Sequence, residues 1–92
     1  MSVYLYVEIT DKDEAAKARY AEVAGATIES VGGRFLTRGP LTTLHGESTF
    51  ERGLIIEFPD RQTAIDWYNS PAYQGILETR NAAFDSRFVL IG

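Results

Sequence analysis

The sequence predicts a single α+β domain whose elements follow in the order β-α-β-β-α-β. Three observations carry that reading: an alternating run near the N-terminus, a long apolar stripe at helical spacing closed by paired glycines, and a hairpin-helix-strand succession in the rest of the chain.

Val3 to Ile9 alternates, with Val3, Leu5, Val7 and Ile9 on one face and Tyr4, Tyr6, Glu8 and Thr10 on the other; a period of two marks a strand. A helix follows. Asp11 with Glu14 three residues on has the form of a capping box, and Asp13 adds negative charge at the positive end of the helix dipole. Ala16, Tyr20, Val23, Ala24, Thr27, Ile28 and Val31 recur at spacings of three and four and define its apolar face, and Gly32-Gly33 ends it. Arg34 to His45 reads as a second strand interrupted at Gly39-Pro40, where proline predicts a bulge or an edge position. Gly46 to Arg52 is a polar connection to a third strand, Gly53 to Phe58, with Leu54, Ile56 and Phe58 on one face. Pro59-Asp60 stops that strand and caps a short helix, Arg61 to Asn69. Ser70-Pro71 restarts the helix as an N-cap followed by proline, and Tyr73, Ile76, Leu77 and Arg80 share a face of the second part. Ser86 to Ile91 is the last strand.

Short connections and right-handed crossovers assemble this order into a ferredoxin-like fold, a four-stranded antiparallel sheet with helices on one face. One domain accounts for residues 1–92. Tyr4, Tyr6, Ile55 and alternate residues of the last strand then occupy the uncovered face, which is too apolar for water, and a homodimer packed through it is expected. A chain of 92 residues without cysteine has no disulfide to supplement a small core, which gives pairing a further purpose.

The segments Gly32-Gly33-Arg34-Phe35, Arg38-Gly39, Gly46-Glu47, Glu57-Phe58-Pro59, the run Ala64 to Tyr73, and Arg80 resemble the domain of unknown function 1330 family over essentially the whole chain. The resemblance implies a dimeric α+β barrel in which two ferredoxin-like sheets face each other. The wider superfamily includes cofactor-independent monooxygenases, muconolactone-type isomerases, relatives of dye-degrading peroxidases and proteins without known activity, so fold alone selects no reaction. Pro40 stands where the family usually has glycine, and His45 where it often has a carboxylate.

Arg38 and Arg80 are the candidates for holding a small anion, since guanidinium matches a carboxylate with two parallel hydrogen bonds. The other reading of Arg80 is an internal ion pair with Glu47, Glu57 or Glu8. His45, the only histidine, and Glu47 are the candidates for moving a proton, with Arg80 completing the catalytic set. Trp67, Tyr68, Ser70 and Tyr73 surround the helix break and are expected to line a small pocket; core packing and capping are their alternative roles.

Several classes are set aside. One histidine and no cysteine cannot form a zinc set, no loop has calcium-binding spacing, and no dinucleotide or phosphate-loop glycine pattern occurs, so neither metal nor cofactor is expected. The net charge of −4 disfavours nucleic acid and anionic membranes. RNA-recognition domains share this strand order, but their stacking aromatics are replaced here by the aliphatic run Leu54-Ile55-Ile56. No apolar run is long enough to span a bilayer and no secretory leader opens the chain, so a cytoplasmic location is expected. Two functions remain: a cofactor-independent enzyme acting on a small organic acid or aromatic compound, or a noncatalytic dimer that binds a small molecule or serves as an interaction module.

Overall fold

A computed structural model describes residues 1–92. The elements are β1 (Val3–Asp11), α1 (Glu14–Glu29), β2 (Arg34–Pro40), β3 (Arg52–Phe58), α2 (Arg61–Asn69), α3 (Pro71–Gln74), α4 (Leu77–Ala83) and β4 (Phe84–Ile91). The strands form one antiparallel sheet in the order β2-β3-β1-β4. This is the ferredoxin-like fold the pattern predicts.

The alternation of β1 decides which face is covered. Val3, Leu5, Val7 and Ile9 are buried beneath the helices with Ile56, Phe58, Trp67 and Tyr73, whereas Tyr4 and Tyr6 stand on the opposite face. The register extends both faces across the sheet. Arg38, Leu54, Val7 and Phe88 form one row on the helix-side face, with Arg38 exposed at the β2 edge. Tyr6, Ile55 and Val89 form a row on the uncovered face, where the ion pairs Glu8–Arg87 and Glu57–Arg34 also lie.

Several boundaries differ from the sequence expectation. The cap of α1 is Asp13, whose carboxylate accepts from the Ala16 amide; Asp11 instead extends β1 and takes two cations as partners. Two acidic residues two apart offer the same cap chemistry, and tertiary cations claim the first of them. The second strand ends at Pro40 rather than His45, and its irregularity lies between Phe35 and Thr37, not at Gly39-Pro40. Pro40 is tolerated because β2 is an edge strand, so one side of it needs no ladder partner. Val23, assigned to the inner face of α1, is exposed. The second helical region breaks twice, at Ser70 and again at Gly75-Ile76. Gly33 is required by close packing: a Cβ there would lie 2.7 Å from Ile28 Cγ2 and 3.0 Å from the Phe58 ring.

The placement of α1 has a functional consequence. It lies closer to α4 than to any strand. Its sheet-facing positions include Ala21, Ala24 and Gly25, which are too small to fill the space between them and the sheet.

Candidate functional site

That space is a half-open trough of about 270 Å³ between α1 and the sheet. Its floor crosses three strands through Leu54 and Ile56 of β3, Val7 and Ile9 of β1 and Phe88 of β4. Phe35 and Arg38 flank it on β2, and Tyr20 and Phe84 flank it toward α4 and β4. A second hollow of about 330 Å³ lies under α2, and Trp67 and Phe88 line both. No charged side chain lines the second hollow, whereas Lys17, Arg38 and Arg52 line the first. The first is therefore the candidate site.

Its electrostatics follow from how those three cations are paired. The Asp11 carboxylate accepts from Arg52 Nη2 at 2.8 Å and from Lys17 Nζ at 3.0 Å. The Arg52 hydrogen bond, with Lys17 adding to it, holds the Asp11 carboxyl below its usual range, and the Asp11 bond raises Lys17. Arg38 has no carboxylate within ion-pair distance; its guanidinium lies 4.8 Å from the Phe35 ring centroid. An apolar trough with an unpaired cation at one end and a second cationic group at its rim matches a small ligand with an apolar body and an anionic head.

Behind the β4 end lies a polar cluster inside an aromatic shell. Arg80 Nη1 donates to the hydroxyls of Tyr68 at 3.0 Å and Tyr73 at 3.4 Å, and its guanidinium sits 5.1 Å from the Phe88 ring centroid. The Tyr73 and Tyr20 hydroxyls are 2.7 Å apart. Burial pushes both phenols up and lowers Arg80, but the two phenol acceptors outweigh that and leave Arg80 raised. At neutral pH Arg80 is therefore a fixed cation and the Tyr20 and Tyr73 phenols keep their protons.

The sequence model of the Domain of unknown function (DUF1330) matches residues 2–92. The chain belongs to the DUF1330 family. No curated protein matches it. Among solved structures, the DUF1330 chain is similar to RPA0582, a protein of unknown function from Rhodopseudomonas palustris (20% identity, TM-score 0.78, covering 98% of this chain and 80% of that one). It is also similar to a dimeric ferredoxin-like protein of unknown function from Jannaschia sp. CCS1 (16% identity, TM-score 0.67, 100% and 99% covered). A third likeness is to a point mutant of SnoaB, a cofactor-independent oxygenase from Streptomyces nogalater (15% identity, TM-score 0.69, 99% and 91% covered). At these identities the likenesses establish the fold.

The DUF1330 chain distributes the sequence-predicted residues unevenly around the trough. Arg38 and Trp67 line it, with the Trp67 indole N–H donating to Thr27 Oγ1 at 3.0 Å. Arg38 and Arg80 do not converge: one lies on the β2 edge, the other on α4 behind Phe88. Nor does Arg80 pair with a carboxylate, because Glu57 pairs with Arg34, Glu8 with Arg87, and Glu47 lies on the exposed 41–51 connection. His45 is exposed on the same connection, and neither it nor Glu47 lines either hollow. The expected gap at the helix break is closed. Ser70 Oγ accepts from the Tyr73 amide and donates to the Trp67 carbonyl, and the Trp67 and Tyr73 rings pack with centroids 4.3 Å apart. Tyr73 is core; Tyr68 lines the second hollow. Tyr20, Lys17 and Arg52 join the site without having been singled out for it. Their signal is purely tertiary, since only the β1–β3 register brings Arg52 to Asp11, with Lys17 one helical turn into α1.

Proposed function

We propose that this chain is a homodimeric small-molecule-binding domain whose ligand is a small, largely apolar acid, such as an aromatic carboxylate, seated between α1 and the sheet. The observation that carries the reading is the coincidence, in one trough, of an aromatic and aliphatic lining with Arg38, a cation that has no protein carboxylate. The size supports a ligand smaller than a typical drug, whose pockets begin near ~300 Å³. Binding of benzoate, followed by the fluorescence of Trp67, the single tryptophan, tests it. Saturable quenching that weakens about tenfold or more in Arg38→Gln supports the assignment; no saturation, or equal affinity in the variant, rules it out.

Dimerisation through the uncovered face is part of this proposal. Tyr6, Ile55 and Val89 form an apolar row there, edged by ion pairs, and two structural relatives bear the description dimeric ferredoxin-like protein. Sedimentation at micromolar concentration distinguishes a dimer from a monomer, and a monomer removes this part.

A second reading, cofactor-independent conversion of the bound compound, draws on the likeness to SnoaB. It is the weaker, because no carboxylate or histidine lines the trough and the proton-moving candidates Glu47 and His45 stand away from it. Oxygen consumption with a bound aromatic acid would restore it.

A further inference from the structure

The hydroxyl chain behind the β4 end of the trough has a direction. Arginine only donates, so the Tyr73 oxygen accepts from Arg80 Nη1. Tyr73 also has its own proton to place, and the Tyr20 hydroxyl at 2.7 Å is its sole acceptor within reach. If Tyr20 donated instead, the Tyr73 proton would have no acceptor. Tyr73 is 0% exposed, and an orphaned buried donor costs about 1–3 kcal/mol. The order is therefore Arg80 to Tyr73 to Tyr20, and one proton is left over, on Tyr20. Tyr20 alone of the three lines the trough. Burial raises its pKa, which keeps that proton in place at any ordinary pH.

The sheet register sets where this donor stands relative to Arg38. The row Arg38, Leu54, Val7, Phe88 crosses all four strands. At about 4.8 Å per strand its ends are roughly 14 Å apart between backbones. Arg38 holds the β2 end. Phe88 holds the other, with Arg80 over its ring. Tyr20 stands on this β4 side too, its ring 5.6 Å from that of Phe84, four residues earlier on the same strand, and its hydroxyl joined to Tyr73. The two polar functions of the trough thus lie toward opposite ends of an apolar body.

We propose that Tyr20 is a specificity-determining residue, donating its hydroxyl proton to an acceptor oxygen at the end of the ligand opposite the anionic head held by Arg38. The ligand class is then narrower than an aromatic acid: an elongated acid carrying a carbonyl or ether oxygen at its far end. This rests on the ligand reading given above, and a pair of probes separates the two. 4-Acetylbenzoate and 4-ethylbenzoate share the head and nearly the same shape; one alone has the distal acceptor.

Calorimetric titration of both probes into the wild type and Tyr20→Phe is the test. The expected result is an acetyl preference of about fivefold to tenfold in the wild type, lost in Tyr20→Phe while affinity for 4-ethylbenzoate is retained. That retained affinity shows the variant is folded around an intact trough. Equal binding of the two probes by the wild type, or a preference that survives in Tyr20→Phe, overturns the role of Tyr20 and leaves the trough assignment standing. Failure of the wild type to bind either probe overturns both.

Discussion

Arg80 Nη1 donates to the Tyr68 hydroxyl at 3.0 Å, fastening α4 to α2 through a charged group with no carboxylate partner. A half-buried guanidinium persists there because two phenol oxygens and the Phe88 face replace part of its hydration. Arg80→Ala is expected to lower the unfolding free energy by about 1.5–3 kcal/mol in urea titrations, the range for a hydrogen bond to a charged group. Arg80→Lys, which keeps the charge but loses the planar stack, should recover only part of this. A loss below about 0.5 kcal/mol in Arg80→Ala would contradict a structural role for the cluster.

The Trp67 indole depends on a single acceptor, Thr27 Oγ1 on α1. Thr27→Val keeps the shape and removes that acceptor, leaving an N–H in a residue that is 3% exposed. Denaturant unfolding should register a cost of about 1–3 kcal/mol. Trp67 emission should also change in the folded variant, since its polar contact is gone.

Asp11 links pH to the integrity of the trough rim. Its folded pKa is lowered, chiefly by the Arg52 hydrogen bond, so the stability it supplies is present above the ordinary carboxylate pKa of about 3.9 and is lost as pH falls through the folded value. Asp11→Asn is expected to destabilise the protein at neutral pH and to flatten this part of the acid transition, followed by circular dichroism. The difference from wild type should shrink in high salt, because all three partners are partly solvated.

Tyr20 and Tyr73 make the opposite prediction at high pH. Both folded pKa values are raised, first by burial, so their contribution is complete below the unfolded phenol value of about 10 and is lost as pH rises from there. A spectrophotometric titration should show two of the five tyrosines ionising only together with loss of the far-ultraviolet circular dichroism signal. Tyr20→Phe should reduce that late step to one. Ionisation of all five before any unfolding would contradict the burial of this pair.

The residues differ in how far they could be read from the sequence alone. The alternation of Val3 to Ile9 predicts both the central strand and its two unlike faces, because period two is a local property. Ser70-Pro71 predicts the helix restart for the same reason: cap and proline act within one turn. The trough is different. It arises because Ala21, Ala24 and Gly25 face the sheet while α1 leans on α4, and helix placement is not encoded in any short window. Asp11 shows where local reading stops: its pattern makes it a helix cap, and partners at Lys17 and Arg52 make it the carboxylate of the rim. Among the site expectations, Arg38 and Trp67 meet at the trough, whereas Glu47 and His45 remain on an exposed connection.

The central claim is that the trough between α1 and the sheet receives a small acid by its anionic head at Arg38. A crystal structure of the chain with 4-bromobenzoate, the bromine located by its anomalous signal, measures this directly. The account predicts bromine among Val7, Leu54 and Phe88, with the carboxylate within hydrogen-bonding distance of the Arg38 guanidinium. Bromine only in the hollow under α2, only on the uncovered sheet face, or nowhere on the protein would contradict it.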